Sequence, residues 1–287
     1  MAGFITTLSQ KLAERWLALL VLPGALYLAA AGTAAALGQG FTRSLSLRAL
    51  VHQVGVWAKA PAAVTTGGHI VLLGAVLAGS AAAGLAAQAL GAAVESLSLA
   101  ANWRAWPVPL RSLAKWRVDA RRTKWTKASA AYQTAREEAA QARSRGQYAD
   151  PDKRRAAFRA VVGVARIQPD RPTWSGDRMH AMDEQLRAEP DVDLPEDWPT
   201  LWIGLEDAAR KDITEARAAL SRATTLGGWA VLYAVLVIWW WPALIIAAVA
   251  AVTARHRIRA AADTYAQLVT AVGRRYAVAE RKAAAAE

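Results

Sequence analysis

The chain has 287 residues, of which 54% are hydrophobic, and a formal net charge of +12 from 35 Lys and Arg against 23 Asp and Glu. It has no cysteine, which excludes disulfide scaffolds, cysteine-ligated zinc and thiol catalysis. The apolar residues gather into three blocks instead of dispersing as a soluble core requires. The basic excess therefore reads first as membrane sidedness and only weakly as a nucleic-acid footprint.

The first block, Trp16 to Leu37, carries no charge and exceeds the roughly 20 residues that cross a bilayer. Lys11 and Arg15 precede it, as in a signal peptide, but the apolar run outlasts the usual h-region of about 7–15 residues. It is expected to be a retained span, 16–37. The second block, His69 to Leu90, is predicted to span as well, 69–90. Its small residues recur every fourth position at Ala75, Gly79, Ala83, Ala87 and Gly91, with Ser80, Gly84 and Gln88 on the adjoining row. That spacing defines a packing face where two helices approach closely, the partner being the first span or another copy of the chain.

Sidedness follows from the flanks. Gly38 to Gly68 holds Arg43, Arg48 and Lys59, whereas Trp103 to Lys127 holds Arg104, Arg111, Lys115, Arg117, Arg121, Arg122, Lys124 and Lys127 against the single acid Asp119. The second flank is predicted to be cytoplasmic.

Leu110 to Arg145 lacks Pro and Gly and is rich in helix formers, so one long helix is expected before Gly146. Asp150 and Pro151 then read as an N-cap and first helical residue, opening a helix to about Ala165. Gln168 to Pro199 is punctuated by Pro169, Pro172, Pro190, Pro195 and Pro199, leaving room for one short helix over 176–188. Helix resumes over Leu205 to Ala223. The acids Asp183, Glu184, Glu189, Asp191, Asp193, Glu196 and Asp197 cluster here, and docking on the basic helix is one expectation, independent solvation the other.

The third block, Leu226 to Ala254, is interrupted by Trp239-Trp240-Trp241-Pro242. Proline disfavours helical geometry at the residue before it, so a hairpin of two short helices is expected, with a single tilted span as the alternative. The hairpin also returns Arg255, His256, Arg257 and Arg259 to the cytoplasm. A terminal helix follows with an apolar stripe of Ile258, Ala262, Tyr265, Val269, Val272 and Tyr276, for which the long basic helix is the expected partner.

Pro172-Thr173-Trp174-Ser175-Gly176-Asp177, then Trp198-Pro199-Thr200-Leu201-Trp202, resemble a group of uncharacterised actinobacterial membrane proteins. In that group a P-T-x-x-G-(N/D) element precedes W-P-x-L-W, an Ala/Arg-rich helix and a Trp-containing hydrophobic hairpin. The likeness covers roughly the last 120 residues, with Leu22-Pro23-Gly24 a further match. It implies architecture and localisation and no activity. Relatives often carry Leu at the position of Trp174 and Asn at that of Asp177.

No nucleotide-binding, zinc-protease or nucleophile-elbow motif occurs. Asp177, His180 and Glu184 share a helix face and would offer a divalent metal one imidazole and two carboxylates. A solvated, salt-bridged helix explains the same spacing better, so no metal, cofactor or catalytic residue is expected. Trp174, Trp198 and Trp202 are expected to form the core of a compact cap or a partner-binding surface.

The expected fold is all-α. Residues 1–99 hold the N-terminal membrane helices, 100–223 a cytoplasmic helical domain, 224–254 the hydrophobic hairpin and 255–287 a cytoplasmic amphipathic helix. The expected place is a bacterial inner membrane, multi-pass, with both termini cytoplasmic. Arg104, Arg111, Lys115, Arg117, Arg255 and Arg257 are expected to contact anionic head groups. The function that fits is a non-enzymatic scaffold presenting its helical domain to a protein partner or to another copy of itself. The alternatives are a membrane-perturbing effector of a bacterial conflict system and, more remotely, a metal-dependent enzyme; nucleic acid is the weakest partner class.

Overall fold

The computed structural model describes residues 22–37, 65–188 and 194–284. The described residues form helices, turns and loops, with no strand among them. In chain order the helices are α1 (Leu22–Leu37), α2 (Thr66–Leu99), α3 (Val108–Ser144), α4 (Pro151–Val164), α5 (Trp174–Arg187), α6 (Leu194–Gly204), α7 (Asp207–Leu236) and α8 (Ala243–Ala284). A 3₁₀ turn, Trp103–Ala105, precedes α3. The start of the expected first span, the loop carrying Arg43, Arg48 and Lys59, and Glu189 to Asp193 lie outside the described residues.

The chain divides into two compact units, one of residues up to Val94 with 221–256, the other of 95–220 with 257–287. Helices α2, α7 and α8 have residues in both.

The first unit is packed through small residues. A Cβ on Gly228 would run into the backbone of Ala87 and come within 2.8 Å of the Gly91 nitrogen, and one on Gly91 would stand 2.8 Å from the Thr225 Cα. A Cβ on Gly24 would overlap the Ser80 backbone, and Gly79 lies under Leu28. The small-residue row of α2 is therefore used within the chain, against both α1 and α7. Around this seam Ala83, Ala87 and Trp229 are buried, with Tyr27, Leu232 and Tyr233 packed on them. Tyr27 and Tyr233 meet edge to face at 5.4 Å. Ala75, expected on the same row, is exposed.

The third apolar block is broken into two helices. α7 stops at Leu236, and the Trp239 and Trp240 amides fold back on the Leu236 carbonyl at 3.1 and 2.9 Å. Pro242 stands just ahead of α8, where a proline nitrogen costs no helical hydrogen bond. One helix among the described residues, Gly67–Leu99, is long and apolar enough to cross a membrane by length and composition.

In the second unit α3 runs for 37 residues and α4 packs along it. Asp150 caps α4 by accepting the Asp152 amide at 2.8 Å, ahead of Pro151, as the sequence predicts. Between Gln168 and Pro199 the expectation of one helix is incomplete. α6 begins at Leu194 and continues through Pro199, a residue that removes one helical hydrogen bond and costs about 3 kcal/mol in a helix interior. The ring contact between Trp198 and Trp202 on successive turns, 5.9 Å apart, is one feature that offsets it. The stripe of α8 is turned inward, with Ile258, Ala262 and Val269 buried. Leu186 of α5 fills the space over Gly273 beside this stripe, and Tyr265 of the stripe lines a cleft with residues of α6 and α7, whereas the long basic helix was expected as its partner.

Candidate functional site

The segment 164–173 crosses α3 and is held there by donors of that helix. Arg121 donates to the Val164 carbonyl at 2.7 Å, Trp125 to Ala165 at 3.1 Å, Arg122 to Pro169 at 2.8 Å and Arg117 to Pro172 at 2.8 Å. Irregular backbone has no internal partners for its carbonyls, and arginine, with five donors, can serve several at once. Asp170 adds ion pairs with Arg104 and Arg122 at 2.8 and 3.0 Å.

The Thr173 to Asp177 element closes this segment onto α5. Thr173 caps the helix by accepting the Gly176 amide at 3.0 Å and donates its hydroxyl to the Ser98 carbonyl at 2.5 Å. A Cβ on Gly176 would come within 2.5 Å of the Leu99 oxygen, which accounts for glycine there. Asp177 is buried; its Oδ1 accepts the amides of Asp170 and Arg171 at 2.9 and 2.7 Å, and its Oδ2 pairs with Arg121 at 2.5 Å. Burial pushes its carboxyl above the ordinary range, against the pull of Arg121 and of the Arg171 and Asp170 amides.

These bonds remove Asp177 from the metal-ligand set predicted with His180 and Glu184. The ligand atoms that do come together, within 4.8 Å, belong to His180, Asp183 and Glu184. His180 Nδ1 is buried with no hydrogen-bond partner among the described residues, but Asp183 is engaged by Arg187 at 3.1 Å and Glu184 is exposed. The group has the makings of a salt-bridged helix face more than of a closed coordination sphere.

The three tryptophans do not share one contact set. Trp174 donates to the Val162 carbonyl at 3.1 Å and carries the Arg259 guanidinium 4.6 Å above its ring, which makes it structural. Trp198 and Trp202 instead line an open, mainly apolar cleft of about 340 Å³ with Pro199, Ile213, Thr214, Arg217 and Tyr265. Arg217 on its wall pairs with Glu95 at 2.6 Å. Tyr265, Ile213 and Arg217 were not expected here. Tyr265 was legible only as part of the stripe, and Ile213 and Arg217 only as members of the helix expected over 205–223.

Of the expected lipid-contact residues, Arg111, Lys115, Arg255 and Arg257 are exposed. Arg104 is exposed as well but paired with Asp170, and Arg117 has its Nε committed to the Pro172 carbonyl. Among the described residues the acids that pair with α3 are Asp170 and Asp177, while Glu189, Asp191 and Asp193 of the expected acidic cluster lie outside the described residues. In comparison with known proteins, no family, no curated protein and no solved structure matches this chain.

Proposed function

We propose that the chain is a multi-pass protein of a bacterial inner membrane that anchors a helical scaffold and offers the Trp198/Trp202 cleft to a protein partner. The cleft carries this reading. Tryptophan and arginine are among the residues most often found at interaction hot spots, with tyrosine, and here they border an apolar cleft that the described side chains leave open. The partner class is a protein segment bearing a large apolar side chain. Anchoring rests on the helix Gly67–Leu99 and on the backbone-to-backbone contacts at Gly24, Gly91 and Gly228, the packing style of helices in lipid. The expected membership of the actinobacterial group and the cytoplasmic placement of both termini are parts of the same proposal.

A photo-crosslinking amino acid at Thr214, on the cleft wall, tests it in cells expressing the full chain. A discrete adduct that is lost on Trp198→Ala supports the scaffold; its mass separates a second copy from a different protein. No adduct, together with loss of membrane potential that disappears when 226–254 is deleted, would replace the scaffold with a membrane-perturbing effector.

A further inference from the structure

Helix α3 begins with a surface that its role in the second unit does not explain. Ala114 and Val118 pack on Ala100 and Trp103. Trp116 is two residues from each, so it stands about 200° round the helix from both, on the side facing away from that cluster. A surface helix places polar residues there. Instead Trp116 is 67% exposed and Leu113, about 60° round the helix from it, 59%, while Val108 at 64% and Leu110 at 48% are exposed on other sides of the same turns. From Arg117 to Ser144 no large apolar side chain of α3 is exposed, so the feature is confined to the first turns. Arg111 and Lys115 flank it, exposed and without an ion pair among the described residues.

We propose that Val108 to Trp116 is an in-plane amphipathic segment that seats on the head-group layer of a bilayer containing anionic lipid. The inference rests on the anchoring reading above. Three observations select lipid over other occupants. The segment starts nine residues after Leu99, the end of the described helix that is long and apolar enough to cross a membrane. Its exposed aromatic is tryptophan, which favours the interface. Its charges are both positive, and each basic side chain near an anionic surface adds about 1 kcal/mol of attraction. Exposed apolar side chains, a tryptophan among them, interleaved with Lys and Arg are the composition of segments that lie in that layer.

The chain has no cysteine, so single labels can be placed cleanly. Leu113→Cys and, as a water-facing reference on the same helix, Gln133→Cys are labelled with an environment-sensitive dye on the full chain in nanodiscs of phosphatidylcholine with or without phosphatidylglycerol. The label at 113 should be blue-shifted and shielded from aqueous iodide, more so with phosphatidylglycerol, while that at 133 stays water-like throughout. Adding Arg111→Glu and Lys115→Glu should weaken partition into the anionic surface by about tenfold or more. Equal iodide access at 113 and 133 in discs that retain the protein would overturn the inference and leave anchoring intact. Shielding that is indifferent to lipid and vanishes in discs holding one copy would also overturn it, assigning the face to a second chain. Release of the protein from membranes by alkaline carbonate would instead remove the anchoring reading and this inference with it.

Discussion

Each of the two units of this chain is packed internally by a different means. In the first, glycine and alanine let backbones touch, and the close contacts run from Gly228 to Ala87, Gly91 to Thr225 and Gly24 to Ser80. In the second, guanidinium groups span the gaps, with Arg117, Arg121 and Arg122 reaching carbonyls of 164–172 and Arg121 and Arg178 reaching carboxylates. The difference shows what each kind of contact asks of a helix. Where two helices meet backbone to backbone, close approach decides, so the side chain is best removed. Where irregular backbone is buried, its carbonyls must find donors, so the side chain is best long and polar.

The largest expected effect lies in the second unit. Arg121→Met leaves Asp177 buried with its two amide bonds and no cation, and removing one partner of a buried ion pair costs about 3–5 kcal/mol. Thermal unfolding of the detergent-solubilised chain should show this as a loss exceeding that of Arg155→Met, whose partner Asp152 is exposed. Equal losses would mean that α3 holds segment 164–173 through its other donors alone.

In the first unit the matching break is Gly228→Val. The added carbons meet the Ala87 backbone, which cannot move aside as a side chain would, so the overpacking cost should reach the upper end of the usual range, about 3 kcal/mol. Gly74→Ala, on α2 with open space around it, should be neutral or slightly stabilising because alanine is the better helix former. Disulfide formation between cysteines placed at Val94 and Gly227 reads the seam directly. If Gly74→Ala and Gly228→Val reduce it alike, glycine is serving the helix and not the contact.

Much of this was written in the sequence, and what was not had a common cause. The break at Pro242, the α4 cap at Asp150 and the length of α3 follow from local rules, in which one residue type dictates backbone geometry within a turn. The small-residue row of α2 was legible as a face, whereas its division between α1 and α7 was not, since spacing gives a surface and never its neighbour. Asp177 shows the same limit. Its place at i−3 from His180 suggested shared ligation, yet its partners come from Arg121 and from the amides of Asp170 and Arg171, which only tertiary structure brings near. The cleft combines α6, α7 and α8, and of its walls only Trp198 and Trp202 announced themselves.

A smaller effect should appear at the cleft. Trp198→Ala removes a ring from the pair with Trp202, and such pairs contribute about 0.5–1.5 kcal/mol beyond the area they bury. Trp174→Ala should be the more destabilising of the two, since it also removes the hydrogen bond to Val162 and the ring beneath Arg259. Thermal unfolding of the two variants side by side decides it. The reverse order would move the structural role to the cleft and weaken its reading as a partner surface.

The smallest effect sharpens the contrast within the second unit, between two aspartates that both face arginine. Asp263 is partly buried, which would raise its carboxyl, but the hydrogen bond from Arg178, the charges of Arg166 and Arg178 and the Gln267 amide outweigh burial and hold it below the ordinary 3.8. Asp177 is more deeply buried, and there burial prevails over Arg121 and the two amides, leaving its carboxyl above 3.8. The signs of linkage are therefore opposite. A carboxyl lowered by folding stabilises the native state above its unfolded value, and that contribution is lost as pH falls through 3.8 toward the folded value. A carboxyl raised by folding stabilises below its unfolded value, and that contribution is lost as pH rises through the folded value. Denaturant unfolding of the solubilised chain between about pH 3 and 6, the range around the carboxylate values, should separate them. Asp263→Asn should flatten the loss of stability on the acid side, and Asp177→Asn should remove a loss that accompanies rising pH. If both variants changed the same limb in the same sense, Asp177 would be stabilised as the anion by its ion pair, and the buried pair with Arg121 would be the stronger of the two arginine contacts.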